Sequence, residues 1–139
     1  MKKLNAFIIA TLFTGVLSAQ TNWTIDKECS AIEFNVSHFL VSYPTGRFKD
    51  FDARMISRAD DFSGTTVTFT AKTASISTDN EQRDHHLQSD DFLNAEKYPE
   101  LTFTGTLVKA DKKYFLKGNL TIRDITRPVT FAVTYRGRV

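Results

Sequence analysis

The chain has 139 residues, of which 24% are charged and 41% hydrophobic, and its formal net charge is +2. Two of its positive charges, Lys2 and Lys3, lie in the N-terminal segment, and without them the chain is formally neutral. A neutral chain with interspersed charges argues against nucleic acid or an acidic surface as the main partner. About 120 residues beyond that segment are enough for one domain with its own core.

The N-terminal segment has the pattern of a secretory signal peptide. Lys2 and Lys3 precede an apolar stretch, residues 6–17, and the small residues Ser18 and Ala19 follow it. A membrane-spanning helix needs roughly 20 apolar residues, so this shorter stretch predicts a cleaved signal and not an anchor. We therefore expect residues 1–19 to be removed, with cleavage after Ser18 or Ala19, and residues 20–139 to form one exported domain.

The single cysteine, Cys29, has no partner for an internal disulfide. In an exported protein such a residue is either a buried apolar thiol or a free reactive one, and the first is commoner. We expect Cys29 to be buried.

Alternation of apolar and polar residues predicts about seven antiparallel strands and an all-β fold. A sheet with one face on the core and one in water shows this period of two. Turn signals separate the runs. A small closed barrel wants about eight strands, so closure by these seven is doubtful. The predicted strands span residues 23–26, 31–41, 47–56, 65–75, 100–109, 113–123 and 129–136.

One segment, residues 79–95, breaks the alternation and carries two signals for a helix start. Asp79 with Gln82 three residues later resembles a capping box, and Ser89 is placed to cap a second short turn. We predict a short helical insertion here, which Pro99 ends.

This segment and the residues directly after it hold the most distinctive motifs of the chain. With residues 23–26, 32–40, 46–48 and 118–122, they resemble the YceI-like family in order and spacing from Trp23 to about Tyr135. The chain departs from the family at Cys29, where a histidine is usual, and at Asp124, where a glycine is usual. The motifs are Arg83-Asp84-x-His86-Leu87, Ser89-x-Asp91-Phe92 and Lys97-Tyr98-Pro99.

The resemblance implies a lipocalin-like antiparallel β-barrel in the bacterial periplasm, or secreted, with a short helical insertion near residues 79–96. Its apolar interior would hold a polyisoprenoid chain, such as an isoprenoid quinone or a polyprenyl carrier, for transport or storage. Family members usually continue with further strands that close the barrel. Those closing strands are missing after Val139, and we expect the chain to be a fragment.

Seven apolar side chains are the candidates for contact with such a ligand. The residues alone favour a dry sandwich core packed by these side chains, and the resemblance reverses that preference in favour of a ligand. They are Phe34, Val36, Phe69, Phe103, Leu116, Leu120 and Phe131.

Four polar side chains, His38, Arg83, Asp84 and His86, are candidates for the mouth of the barrel. Arg83 and Asp84 would either tie the insertion to the barrel or meet a ligand head group. The neighbouring histidines and carboxylates form no metal-ligand spacing, so we predict no metal and no cofactor.

No spacing in the chain indicates a catalytic triad, a phosphate loop or a carboxylate pair. We therefore predict a lipid-binding protein and not an enzyme, with transient contact to a membrane or membrane protein; a dimer is left open. Two alternatives remain: an enzyme acting on a prenyl lipid through His86 and Asp84 as acid and base, and a dry-core interaction domain.

Overall fold

The computed structural model describes residues 19–35 and 45–137. The predicted signal peptide, Val36 and His38 therefore lie outside the described residues. Residues Thr73–Ser75 form a 3₁₀ turn. The elements are β1 (Thr21–Thr24), β2 (Ile32–Asn35), β3 (Thr45–Phe48), β4 (Phe51–Ser57), β5 (Thr66–Lys72), β6 (Ile76–Ser77), α1 (Glu81–Gln88), β7 (Glu100–Ala110), β8 (Lys113–Ile122) and β9 (Ile125–Val133).

Six of these strands form one antiparallel sheet in the order β1-β4-β5-β7-β8-β9. Residues directly opposite one another point to the same side of a sheet, so the pairing defines its faces. One row across the sheet is Met55, Val67, Gly105, Gly118 and Val129. We call the face on which this row lies the inner face. It carries the apolar residues that the alternation predicted for β5, β7, β8 and β9.

The opposite face of the sheet is polar and rich in threonine. Thr66 pairs with Thr106, Thr68 with Thr104, and Thr70 with Thr102. This division into one apolar and one polar face is the expected cause of the period of two in the sequence.

The other three strands form a small sheet in the order β2-β3-β6, again with antiparallel pairs. It packs against one end of the inner face and makes the main core of the molecule. The buried members of that core are Phe48, Phe51, Ala71, Ile76 and Leu101.

Glycines let two aromatic rings lie flat on the sheets. A Cβ on Gly46 would fall 2.1 Å from Cζ of Phe34, its partner across β2 and β3. On the inner face, Gly105 and Gly118 are opposite each other, and the ring of Phe103 lies over both. Each glycine is therefore the space that an aromatic side chain occupies.

The all-β prediction with one short helix is confirmed, and the described residues form nine strands where about seven were predicted. The predicted strand 47–56 is two strands, because the chain turns at Lys49 and Asp50. There Lys49 N donates to Ser75 O at 3.0 Å and Asp50 O accepts from Lys72 N at 2.8 Å. Short β6 was not predicted, since two residues are too few to show alternation.

The last strand begins earlier than predicted. Ile122 and Ile125 pair directly, so Arg123 and Asp124 alone make the turn, and Arg123 has a φ of 58°. Pro128 lies opposite Asn119 within β9, where the prediction had a turn. Starting from a two-residue hairpin turn, hydrogen-bonded and non-hydrogen-bonded residue pairs alternate along the two strands. This places Pro128 in a non-hydrogen-bonded pair, where no backbone N–H is needed for β8.

The helical insertion is confirmed, with different ends. Asn80, and not Asp79, caps α1: its side chain accepts from Arg83 N at 2.9 Å. Ser89 follows the last turn of α1, where its hydroxyl donates to His86 O at 2.7 Å, and no second helix starts there. Cys29 is exposed, so the expectation of a buried thiol is wrong.

The sheets do not close into a barrel within the described residues. The large sheet has β1 at one edge and β9 at the other, and these two strands do not pair. Among the same residues, no helix is long and apolar enough to cross a membrane.

Candidate functional site

An apolar cleft of about 850 Å³ lies between the inner face and the small sheet. Its volume falls in the range of small-molecule sites, roughly 300–1,000 Å³. The large sheet contributes Phe69, Leu101, Leu116, Leu120, Ile122 and Phe131 to its lining. The facing wall comes from Ile32, Phe34, Phe48 and Ile76, and the rim from Leu87, Asp91, Phe92 and Leu93.

The polar residues at the cleft are few. Glu33 and Asn35 alternate with Ile32 and Phe34 on β2, so their side chains lie on the other face of the small sheet. Asn35 there accepts a hydrogen bond from the Thr45 hydroxyl at 2.8 Å. An extended hydrophobic ligand would therefore meet almost only carbon in this cleft.

The structure brings five of the seven predicted apolar residues together at the cleft: Phe34, Phe69, Leu116, Leu120 and Phe131. Phe103 is 1% exposed and lies behind the wall, where its ring stacks on Phe69 at 5.1 Å and meets Phe131 edge-on at 5.5 Å. Its place is that of a support for two lining rings. Contact of these residues with a ligand stays a prediction.

Arg83 and Asp84 do not pair with each other; both bind Thr78, directly after β6. The Arg83 Nε donates to the Thr78 hydroxyl at 2.7 Å and its Nη2 to the Thr78 carbonyl at 2.8 Å. Asp84 Oδ1 accepts from the Thr78 backbone N–H at 2.8 Å and from its hydroxyl. We call these three residues the Thr78 latch. It ties α1 to the small sheet, which is the structural alternative considered for this pair.

His86 lies at the rim of the cleft and not beside Asp84. Its Nε2 is 3.7 Å from Oδ2 of Asp91, and its ring meets Phe92 edge-on at 4.9 Å. His86 and Asp84 thus have different partners and form no acid–base pair. Among residues 19–35 and 45–137, no group of three potential ligands is placed to hold a metal ion.

Residues 89–98, which we call the site loop, carry the rim of the cleft and are held from two sides. Leu93 N donates to Leu87 O at 3.0 Å on the side of α1. From the β8–β9 turn, Nη1 of Arg123 donates to Phe92 O at 2.8 Å, and its guanidinium lies 5.5 Å from the Tyr98 ring. Sequence reasoning missed Thr78 and Arg123 as positioning residues, because neither contact has a local signal.

The far end of the inner face is polar and aromatic. Lys109 Nζ lies 3.0 Å from Oδ2 of Asp61, and this hydrogen bond lowers the pKa of Asp61 and raises that of Lys109. Tyr114 donates its hydroxyl to Asp61 O at 2.9 Å. Tyr135 packs beside Phe62 with ring centroids 5.5 Å apart.

Two antiparallel sheets that enclose an apolar cleft, with a latched helical insertion at its rim, define an all-β protein built around a hydrophobic interior. The chain belongs to the YceI-like family, whose domain profile matches residues 23–139. Protein YceI of Salmonella newport is 36% identical over 141 residues, which cover 99% of this chain and 74% of the relative.

Solved structures show the same fold. The Burkholderia cenocepacia protein BcnA superposes with a TM-score of 0.75 at 24% identity, over 83% of this chain and 73% of that one. The Campylobacter jejuni YCEI protein superposes with a TM-score of 0.57 at 34% identity, over 79% of this chain and 66% of its own length. The predicted family is thus confirmed by sequence and by fold.

Proposed function

We propose that this chain is a periplasmic or secreted binding protein that holds one polyisoprenoid chain in the apolar cleft, for transport or storage. The observation that carries the proposal is the cleft itself, about 850 Å³ and lined by fourteen apolar residues of seventeen. Membership of the YceI-like family supports the choice of a prenyl chain, because that is what the resemblance implies. The N-terminal pattern of residues 1–19 supports export.

The length of the cleft suits a tail of about four isoprene units. Along β8 the lining runs from Leu116 to Ile122, and the six steps between these residues, at about 3.4 Å each, span about 20 Å. One isoprene repeat adds four chain bonds. An extended peptide rises about 3.4 Å for its three backbone bonds per residue, so four bonds of similar length span about 5 Å when extended. Four repeats therefore match the wall.

The energy of burial is sufficient for a tail of this length. At about 0.8 kcal/mol for each buried methylene-sized group, one five-carbon unit contributes roughly 4 kcal/mol gross. Three or four units exceed the roughly 8 kcal/mol that micromolar binding needs, after several kcal/mol of ordering cost. The tail, and not the head group, would set most of the affinity.

Binding without catalysis is the form of the proposal that the site geometry favours. The acid–base pair required by the enzymatic alternative is divided between the Thr78 latch and Asp91. No nucleic acid, metal or cofactor enters the proposal. Transient contact with a membrane is part of it, because a prenyl lipid must be collected and delivered there.

The first test is extraction of the protein after purification from its native compartment. Organic extraction and mass spectrometry should return a long-chain prenyl lipid close to one per protein. A parallel preparation of an unrelated exported protein sets the background, and a yield no higher than that background would refute the proposal.

A second test changes the cleft with a matched charge control. Leu120→Asp places a carboxylate on the inner face, whereas Asn119→Asp adds the same charge on the outer face of the same strand. Loss of a buried leucine side chain costs about 1.5–3 kcal/mol, so Leu120→Asp should weaken binding of geranylgeraniol at least about tenfold. Asn119→Asp should leave it unchanged; equal effects of the two variants would speak against the cleft.

A further inference from the structure

The inner face carries two charged residues among its described strand positions, Lys109 and Arg127. Lys109 is engaged at the far end by Asp61. Arg127 lies in β9 directly opposite Leu120, and therefore projects from the apolar side of the sheet. A cation on an apolar face needs an explanation, because the alternation of β9 would otherwise place an apolar residue there.

The guanidinium of Arg127 has no hydrogen bond or ion pair to any other described residue. This separates it from its neighbour Arg123, whose Nη1 is engaged by the carbonyls of the site loop at 2.8 and 3.3 Å. Five N–H donors of Arg127 are thus free, and a guanidinium presents them in a planar fork that fits a phosphate or carboxylate.

The position of Arg127 relates it to the cleft. Its partner Leu120 lines the cleft, as do Ile122, two residues further along β8, and Phe131, four residues further along β9. Cβ atoms of directly opposed residues lie about 4.5–5.5 Å apart, so the long arginine side chain starts beside Leu120, on the edge strand next to the cleft and outside its lining. A ligand whose tail lies against Leu120 and Leu116 would have a polar end within its reach.

We propose that Arg127 binds the oxyanion of an amphiphile whose prenyl tail occupies the cleft, so that a phosphate head is favoured over a neutral alcohol. This inference rests on the proposed function and adds to it the chemistry of the head group. The tail supplies most of the affinity, and Arg127 supplies the discrimination between heads.

The competing explanation is that Arg127 only guards an edge strand. A charge that points inward from an edge hinders pairing with another chain, and β9 is an edge of the large sheet. The two explanations predict different effects of replacing Arg127. If Arg127 only protects the edge strand, its loss changes self-association of the protein. If it binds the head group, its loss changes the ratio of the affinities for the phosphate and the alcohol.

The experiment measures binding of geranylgeranyl monophosphate and of geranylgeraniol, below their micellar concentrations, to the purified chain and to three variants. Arg127→Gln removes the charge on the inner face, and Arg127→Lys keeps the charge but not the fork. Arg54→Gln removes the same charge from the outer face, where Arg54 pairs with Thr68, and is the matched control. Inorganic phosphate is added as a competitor to separate a lipid head group from free phosphate.

We expect the phosphate-to-alcohol affinity ratio to fall about ten- to a hundredfold in Arg127→Gln, as for loss of a charge-assisted hydrogen bond. Arg127→Lys should retain part of that ratio, Arg54→Gln all of it, and inorganic phosphate should compete only weakly. In the unaltered protein, added sodium chloride should weaken the binding of geranylgeranyl monophosphate but not the binding of geranylgeraniol. This measurement does not depend on the folding of any variant.

An unchanged ratio in Arg127→Gln, with both lipids still bound, would overturn the role of Arg127 and leave the proposed function intact. Absence of binding of either lipid to the unaltered protein would overturn both. Self-association of Arg127→Gln with an unchanged ratio would assign the residue to guarding the edge.

Discussion

The packing of Phe34 over Gly46 allows a test in which Gly46→Ala should destabilise the protein when Phe34 is present and stabilise it when Phe34 is absent. Phe34 and Gly46 are opposite each other across β2 and β3. A Cβ at residue 46 would lie 2.1, 2.6 and 2.8 Å from three atoms of the Phe34 ring, and these are the three nearest atoms. Carbon atoms at optimal separation are about 3.5–4.0 Å apart, so in Gly46→Ala the ring must leave its place.

The expected magnitudes follow from two opposing effects. Overpacking of this kind costs about 1–3 kcal/mol. Replacing glycine by alanine where the backbone allows it stabilises by about 0.4–1 kcal/mol through the unfolded chain, and Gly46 does not have a positive φ. We expect Gly46→Ala to lower the free energy of unfolding by about 1–2 kcal/mol alone, and to raise it by about 0.4–1 kcal/mol in a Phe34→Ala background.

Urea denaturation of the single and double variants, followed by the fluorescence of the one tryptophan, Trp23, measures this coupling. Gly64→Ala is the matched control: its φ is +72° and no atom lies within 4 Å of its added Cβ, so its cost is conformational and independent of Phe34. An equal cost of Gly46→Ala in both backgrounds would refute the reasoning. Displacement of the ring should also weaken prenyl binding, because Phe34 lines the cleft.

Three further predictions concern the latch, the far end and the site loop. Thr78→Val removes the hydroxyl of the Thr78 latch, so it should lower the free energy of unfolding by about 1–3 kcal/mol and speed amide exchange in α1. Thr78→Ser should retain most of the stability and of the exchange protection, and equal effects of the two variants would contradict the latch. Lys109→Met should raise the pKa of Asp61 in an NMR titration, and Lys112→Met should not. Because the pKa of Asp61 is lower in the folded protein than in the unfolded chain, its contribution to stability is complete above the unfolded-state pKa and is lost as the pH falls through the folded-state pKa. Arg123→Ala should speed amide exchange in the site loop while the exchange of β7 stays unchanged, and a uniform change would mean general destabilisation.

Local pattern was sufficient to predict the faces of the large sheet. The inward residues of β5, β7, β8 and β9 follow from alternation alone, since the period of two is a property of each strand by itself. Four of the apolar candidates, Phe69, Leu116, Leu120 and Phe131, therefore lie at the cleft. Phe103 shares their face but lies behind the wall, because its ring covers Gly105 and Gly118, and alternation does not tell a lining residue from a supporting one.

What the sequence could not predict depends on contacts between distant residues. Pro128 resembles a turn signal until its strand is known to be an edge, where a missing N–H costs no pairing. Thr78 has no motif of its own, and it becomes a positioning residue only when Arg83 and Asp84 both meet it. Cys29 was expected in the core from the average behaviour of cysteine, and that average holds no information on the loop it occupies.

The order of strands in the large sheet has a consequence for how the molecule folds. Strands β7, β8 and β9 are consecutive, pair in sequence order and are joined by two-residue turns, so their contacts close only short loops. We expect these hairpins to form first, because the pairing of β1 with β4 and of β5 with β7 closes longer loops. The wall that carries Leu116, Leu120 and Phe131 would then be assembled before the small sheet covers it. A newly made chain would expose this apolar face during that interval, and exposed apolar surface of this kind favours aggregation until the small sheet covers it.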